Sequence, residues 1–138
     1  MAELAATSAW VWSDRDDLLR ERFDSALEAR EIATCDAVKL ELLHGARNAE
    51  EFSVVRTRLD MLRQCLIGPR EWRQALHVYE VLAHQGGLHH RRVKHLDLLI
   101  AAAAESASLS VLHYDADFEA IAAVTGQPTR WLAPRGSL

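Results

Sequence analysis

Acidic residues lie beside apolar segments at three points of the sequence: Glu41, Asp97, and the pair Asp115 and Asp117. A buried carboxylate without a partner is costly, or it takes up a proton. A bound cation offsets the energetic cost of burial and keeps the carboxylate ionised. These residue types therefore suggest a site in which carboxylates from distant parts of the chain share one cation.

Each of these acids also has a purely structural interpretation. Glu41 would lie at the edge of the apolar stripe of an amphipathic helix. Asp97 would satisfy free N–H groups at a helix N-terminus, and turn formation or capping would explain Asp115 or Asp117 taken alone. These interpretations explain the set poorly if the fold brings all three points to one end of a sheet.

The elements that must position these acids follow from the alternation of short apolar segments with helical patterns, which is typical of a parallel sheet covered by helices. Strands are predicted over 4–12 (passing through Thr7 and Ser8 into a turn or helix), 31–35, 109–114 and, at an edge, 129–132. Helices are predicted over 16–30, 37–46, 50–66, 70–85, 97–105 and 115–125, with a polar loop over 88–95. Asp36 is the predicted N-cap of the second helix, and Gly68-Pro69 separates the third from the fourth.

In open parallel sheets, ligands bind beyond the carboxyl ends of the strands. Asp115 and Asp117 directly follow a predicted buried strand, so they would lie at that edge. The sequence thus predicts an α/β fold with a mostly parallel sheet. It also predicts that the functional residues lie at one end of that sheet.

Length and composition fit one domain over residues 1–138, with 49% hydrophobic and 26% charged residues. No apolar run is long enough for a membrane span, and no secretory signal is recognisable, so the cytoplasm is the expected location. Cys35 and Cys65 match no metal or redox spacing and are predicted to be reduced and buried. The net charge of −4 argues against coating nucleic acid through bulk charge, but it allows a local basic rim.

Four segments resemble the conserved blocks of PIN domains. Residues 5–10 (AATSAW) resemble the opening block, in which a strand ends in Asp followed by Thr or Ser, Ser and Ala. Residues 41–46 (ELLHGA), 97–104 (DLLIAAAA) and 112–118 (LHYDADF) are similar to the second, third and fourth blocks. All four occur in the family's order, and the compact chain with a helix pair after Glu41 resembles the VapC toxins among PIN proteins.

The resemblance implies a PIN-like three-layer fold and an endoribonuclease that depends on Mg²⁺ or Mn²⁺ and cuts RNA, with tRNA or rRNA as the expected substrate. It also implies a homodimer that a VapB-type antitoxin holds inactive. The metal ligands or orienting groups would be Glu41, Asp97 and Asp115, with Asp117 as a close alternative or helper. Thr7 or Ser8 would hydrogen-bond a carboxylate or a metal-bound water.

The chain departs from the family pattern at its first acidic position, which is Ala6 here. The neighbouring Ala5 and Thr7 are not acidic either. Loss of one carboxylate from a small site for a hard metal is expected to weaken metal binding and to abolish cleavage. Natural degeneration and a substitution that removes toxicity would both explain Ala6, and the intact remainder of the site favours the second hypothesis.

Residues 89–95 (HHRRVKH) form the densest positive stretch and closely precede Asp97. Arg91, Arg92 and Lys94 are predicted to contact the RNA backbone there, as is Arg47 after the Glu41 helix. The alternative is a solvated loop. The apolar stripes around Leu19 and Leu62 are predicted to be mainly core, with part available to an antitoxin helix or a dimer face. These stripes consist of Leu18, Leu19 and Phe23, and of Met61, Leu62 and Leu66.

Three other functions remain open at this level. The chain could be a PIN nuclease of RNA processing, although its length and lack of accessory domains favour a toxin. It could be a degenerate PIN protein that only binds a partner, with Ala6 as natural decay. A response-regulator-like module would need a lysine after a late strand, and neither Lys39 nor Lys94 is so placed.

Overall fold

The computed structural model describes all 138 residues, and a five-stranded parallel sheet forms its centre. The strands are β1 (Glu3–Ala5), β2 (Ile32–Cys35), β3 (Arg63–Cys65), β4 (Ser110–His113) and β5 (Thr129–Trp131). Their order across the sheet is β3-β2-β1-β4-β5, and every neighbouring pair is parallel. The predicted α/β fold is confirmed, as is the edge position of the last strand.

Seven α-helices flank the sheet, and side chains fix where several of them begin. They are α1 (Thr7–Ser13), α2 (Asp17–Glu28), α3 (Asp36–His44), α4 (Ala49–Asp60), α5 (Pro69–His84), α6 (His95–Ser106) and α7 (Asp117–Thr125). The carboxylate of Asp16 accepts a hydrogen bond from the N–H of Leu19 and caps α2, and Asn48 caps α4 in the same way. Pro69 stands at the first position of α5, where its missing N–H costs nothing.

The core is built around β1, β4 and the apolar helix α6. Leu4, Val111 and Ile100 are each 0% exposed and belong to one cluster of 21 buried residues. The alanines of α6 allow its backbone to approach the sheet and α5 closely, which fixes the first turn of α6 beside the ends of the central strands. None of the helices is both long enough and apolar enough to cross a membrane.

The helix predicted over 50–66 is wrong at its C-terminal end. α4 stops at Asp60, and the edge strand β3 follows at Arg63–Cys65. Met61 and Leu66 continue the helical spacing in sequence, yet they are 81% and 80% exposed and not core residues. The side-chain amide of Gln64 donates hydrogen bonds to the carbonyls of Leu59 and Leu62, which close the end of the helix. A three-residue strand is too short to show a period of two.

Two further local predictions are corrected. Asp36 is the first residue of α3 and not its cap, because Cys35 occupies the N-cap position, and the Asp36 carboxylate faces Lys39 at 3.1 Å. Within the predicted loop, residues His89–Arg92 form one 3-10 turn. The prediction for the cysteines is confirmed: Cys35 and Cys65 are reduced and buried on neighbouring strands, and burial raises the pKa of the Cys35 thiol to about 11.

Candidate metal centre

Three carboxylates from separate elements meet at the carboxyl edge of the sheet. Asp97 lies in the first turn of α6, Asp115 follows β4, and Asp117 is the first residue of α7. One oxygen from each lies within 4.8 Å of the others. The three carboxylates converge because the C-terminal end of β4 lies beside the N-terminal end of α6 in the fold. The loop between β4 and α7 therefore faces the first turn of α6.

Asp97 is buried in a way that capping does not explain. The helix begins two residues earlier, at His95, and the residue is only 5% exposed. Its Oδ2 atom is buried and accepts no hydrogen bond. Burial, followed by the neighbouring Asp117, raises the pKa of the Asp97 carboxyl group to about 8. A buried carboxylate oxygen that accepts no hydrogen bond is able to bind a cation or a proton.

The loop that carries Asp115 and Asp117 is held by hydrogen bonds of its own. The N–H of Asp117 donates to Asp115 Oδ1 at 2.9 Å, and the N–H of Asp115 donates to Nδ1 of His113 at 3.2 Å. His113 is 0% exposed, and its ring lies against Phe118 and Trp131. Burial lowers the pKa of His113, which keeps the ring neutral and Nδ1 able to accept. His113 was missed by the sequence analysis, although a histidine inside an apolar strand was a usable signal.

Lys94 reaches into the cluster of three acids. Its Nζ atom lies 2.5 Å from Asp115 Oδ2, 3.0 Å from Asp117 Oδ2 and 3.6 Å from Asp97 Oδ2. Its backbone N–H also donates to Asp117 Oδ2 at 3.0 Å. Burial opposes the charge on the ammonium group, but the three carboxylates outweigh it and raise the pKa of Lys94. Lys94 was predicted to contact the RNA backbone, whereas its ammonium group contacts the three acids.

Glu41 is half-buried and bound to the start of α1, and its oxygens are outside the group of three that meet. Thr7 Oγ1 donates to Glu41 Oε1 at 2.7 Å. The adjacent Ser8 accepts a hydrogen bond from the N–H of Tyr114 at 2.8 Å, which connects α1 to the residue before Asp115. The structure therefore brings Thr7 and Glu41 together, and it joins their element to the loop of the acids through Ser8.

Ala6 lies between the last residue of β1 and the first residue of α1. It is 1% exposed, and its N–H donates to the carbonyl of Leu112 in β4. It is the N-cap residue of α1 and provides no side-chain cap. The alanine thus supplies neither a cap nor a carboxylate at a buried position on the same edge of the sheet.

The other predicted basic residues are exposed. Arg91 and Arg92 lie on the 3-10 turn that leads to Lys94, and neither forms a salt bridge within the chain. Arg47 lies beyond the end of α3 and pairs with Glu51 at 3.2 Å. Arg91 and Arg92 are therefore available to a ligand, whereas the charge of Arg47 is partly compensated.

Comparison with known proteins provides a second, independent line of evidence on the family of this chain. The family model of the PIN domain matches residues 6–124. Ribonuclease VapC18 of Mycobacterium tuberculosis is 45% identical over 132 residues, which are 96% of each chain. Ribonuclease VapC51 of the same organism is 38% identical over 120 residues, or 87% of this chain and 85% of that protein.

Solved structures give the same fold at low sequence identity. The DNA-bound VapBC structure from Salmonella typhimurium superposes with a TM-score of 0.73 at 20% identity, covering 96% of this chain and 100% of that one. VapBC-1 from nontypeable Haemophilus influenzae gives a TM-score of 0.71 at 16% identity, covering 96% and 98%. The chain belongs to the PIN domain family and, within it, to the VapC-type proteins.

Proposed function

We propose that this chain is an endoribonuclease toxin of a type II toxin–antitoxin pair, and that it hydrolyses RNA phosphodiester bonds with Mg²⁺ or Mn²⁺. The observation that carries the proposal is the meeting of Asp97, Asp115 and Asp117 within 4.8 Å. The two relatives described above are ribonucleases by name, which supports the same activity here.

The residues of the cluster fit a hard divalent cation. All three offer carboxylate oxygens, the ligand type that Mg²⁺ and Mn²⁺ prefer. Asp97 Oδ2 is buried and has no hydrogen-bond donor, so an ion would satisfy an atom that the fold leaves unsatisfied. Asp97, Asp115 and Asp117 would hold the ion, which when bound supplies Lewis-acid activation of water and of the phosphoryl oxygen.

The remaining residues of the site orient groups and bind substrate. Thr7 donates to one oxygen of Glu41, which leaves the second oxygen free to accept a proton or to orient a water molecule. Arg91 and Arg92 are exposed on the 3-10 turn that precedes Lys94 and would provide guanidinium groups for the RNA backbone. Binding of the backbone at this rim would hold a phosphodiester over the carboxylates.

Ala6 makes the chain as it stands a weak or inactive form. An aspartate at this position would add a fourth carboxylate from the end of β1, and as N-cap residue it would also accept a hydrogen bond from α1. The chain with Ala6→Asp is expected to cut RNA at least about 100-fold faster than the parent, since even groups that only support a metal ligand are commonly worth 10- to 100-fold.

The test is a titration of Mg²⁺ and Mn²⁺ against a panel of structured tRNA and rRNA fragments. The matched control is Ala6→Asn, which caps α1 as well as aspartate does but adds no charge. Cleavage by the Ala6→Asp variant but not by the Ala6→Asn variant supports the proposal. Equal activity in both variants, or none in either at saturating Mn²⁺, refutes it. Inactivity together with a stable partner complex would favour the alternative of a degenerate PIN protein, which the alanine at position 6 specifically suggests.

We also propose a VapB-type antitoxin as partner, because the solved structures that share this fold include VapBC complexes. Between α1, α2 and α4 lies a groove of about 600 Å³ with mostly apolar walls, suited to the apolar face of a helix. Met61, at its rim, is 81% exposed. Met61→Asp in the Ala6→Asp chain should retain cleavage and lose rescue by the cognate antitoxin. Growth arrest that the antitoxin relieves would also separate a toxin from a nuclease of RNA processing.

A homodimer is part of the same proposal. Trp72 and Leu76 on α5 are 55% and 65% exposed and border an apolar groove between α5 and α6. An apolar face of this kind on a small protein is typical of an interface. Leu76→Asp should shift the sedimentation coefficient from dimer to monomer, and a parent chain that sediments as a monomer at all concentrations would contradict the proposal.

A further inference from the structure

We propose that the ammonium group of Lys94 is an internal counter-cation of the carboxylate cluster, which competes with the divalent ion for the same oxygens and must leave when the ion binds. The inference rests on the proposed function. It assigns Lys94 a positioning role that holds the site together in its metal-free state.

The contacts of Lys94 support this role. All three of its ion-pair contacts in the cluster are to Oδ2 atoms, namely those of Asp97, Asp115 and Asp117. The same three residues offer the oxygens that lie within 4.8 Å of one another. An ammonium group and a divalent ion that contact the same oxygens repel each other at short range. Both cannot be bound to these atoms at once.

The ammonium group can leave without disturbing the backbone. The side chain of Lys94 is 60% exposed, so its rotation toward solvent displaces no packed residue. The backbone N–H of Lys94 holds Asp117 Oδ2 independently of the side chain. Removal of the ammonium group therefore changes the charge at the cluster but leaves this anchor of Asp117 in place.

The size of the effect follows from the exposure of the pairs. The Lys94 side chain is 60% exposed and its three carboxylate partners are 7–24% exposed, so solvent screens each pair in part and displacement of Lys94 hinders metal binding by a moderate factor. We expect Lys94→Met to tighten the dissociation constant for Mg²⁺ by about five- to tenfold. The same variant lacks the charge that relieves repulsion among the acids, so Mg²⁺ should raise its melting temperature more than that of the parent.

The chain offers a matched control, because it contains only two lysines. Lys39 also forms short ion pairs, with Asp36 and Asp60, but it lies on α3 outside the cluster. Lys39→Met removes the same charge from the protein. Both variants are made in the Ala6→Asp chain, and Mg²⁺ binding is measured by calorimetry. Lys94→Gln provides a second, uncharged replacement if Lys94→Met folds poorly.

A direct readout needs no substitution at Lys94. Reductive methylation with ¹³C keeps the amines charged and gives NMR signals for two lysines and the N-terminus. Mg²⁺ should shift the Lys94 signal and leave the Lys39 signal in place. Unchanged affinity in Lys94→Met, or a Lys94 signal that does not move at saturating Mg²⁺, overturns this inference alone. Absence of Mg²⁺ binding in every variant overturns the proposed metal site, and this inference with it.

Discussion

Replacement of Asp97 by asparagine should stabilise the metal-free protein at neutral and alkaline pH. The pKa of the Asp97 carboxyl group is raised from its ordinary 3.8 to about 8, first by burial and then by the neighbouring acid Asp117. Between these two values the folded chain retains a proton that the unfolded chain has released. The free energy of unfolding therefore falls as pH rises from about 4 to 8, and levels off above 8.

The magnitude follows from the same pKa difference. A rise from 3.8 to about 8 corresponds to at most about 6 kcal/mol above pH 8. Water penetration and side-chain relaxation reduce such values, and about 2–3 kcal/mol is the expected gain for Asp97→Asn at pH 8. Near pH 4 the gain should be close to zero. The amide group of the variant can donate to Asp117, so the substitution replaces the proton with an N–H donor.

The assay is urea denaturation in EDTA at several pH values between 4 and 9, with Asp24→Asn as control. Asp24 is an exposed acid on α2, so its replacement should leave the pH profile unchanged. Addition of Mg²⁺ should stabilise the parent more than the variant and so narrow the difference, because the variant lacks one ligand. A stability difference between Asp97→Asn and the parent that does not grow with pH would refute the reasoning.

Three further predictions concern the rim, the Thr7 contact and the core. Replacing Arg91 and Arg92 with alanine should reduce the slope of log Kd for RNA against log salt concentration by about 1.4, and an unchanged slope removes both from the interface. Thr7→Val deprives Glu41 of its donor and should lower the free energy of unfolding by about 1 kcal/mol in urea denaturation, whereas Thr7→Ser should not. Ile100→Ala should cost about 3 kcal/mol in the same assay, because this side chain is fully buried; a loss below 1 kcal/mol would contradict the described core.

The sheet and most helices could be predicted because their signals are local. Apolar runs before Asp36 and Asp115, and helical spacing in α2, α5 and α6, are visible without tertiary information. Strand β3 could not be predicted, because three residues of which two are exposed carry no period. Its existence depends on pairing with β2, which the local sequence does not encode.

Of the candidate site, the sequence indicated which acids would share one edge, but not their individual surroundings. The rule for parallel sheets and the family resemblance indicated Glu41, Asp97 and Asp115, with Asp117 as a helper; the oxygens that meet are those of Asp97, Asp115 and Asp117, and Glu41 lies outside this group. The unsatisfied oxygen of Asp97 and the direction of the Lys94 side chain depend on rotamers and on packing between elements. The sequence pattern predicts which face of a helix or strand a residue occupies. It does not predict which side chain of another element that residue contacts.

The parallel pairing of β1 with β4 has a consequence for synthesis of the chain. Ser8 and Tyr114 are 106 positions apart and joined by a hydrogen bond, and contacts of such separation form only after a long loop has closed. A nascent chain on the ribosome thus has no assembled carboxylate cluster until the residues after β4 have been translated. Premature termination anywhere before Asp115 therefore leaves a fragment in which the three carboxylates cannot come together.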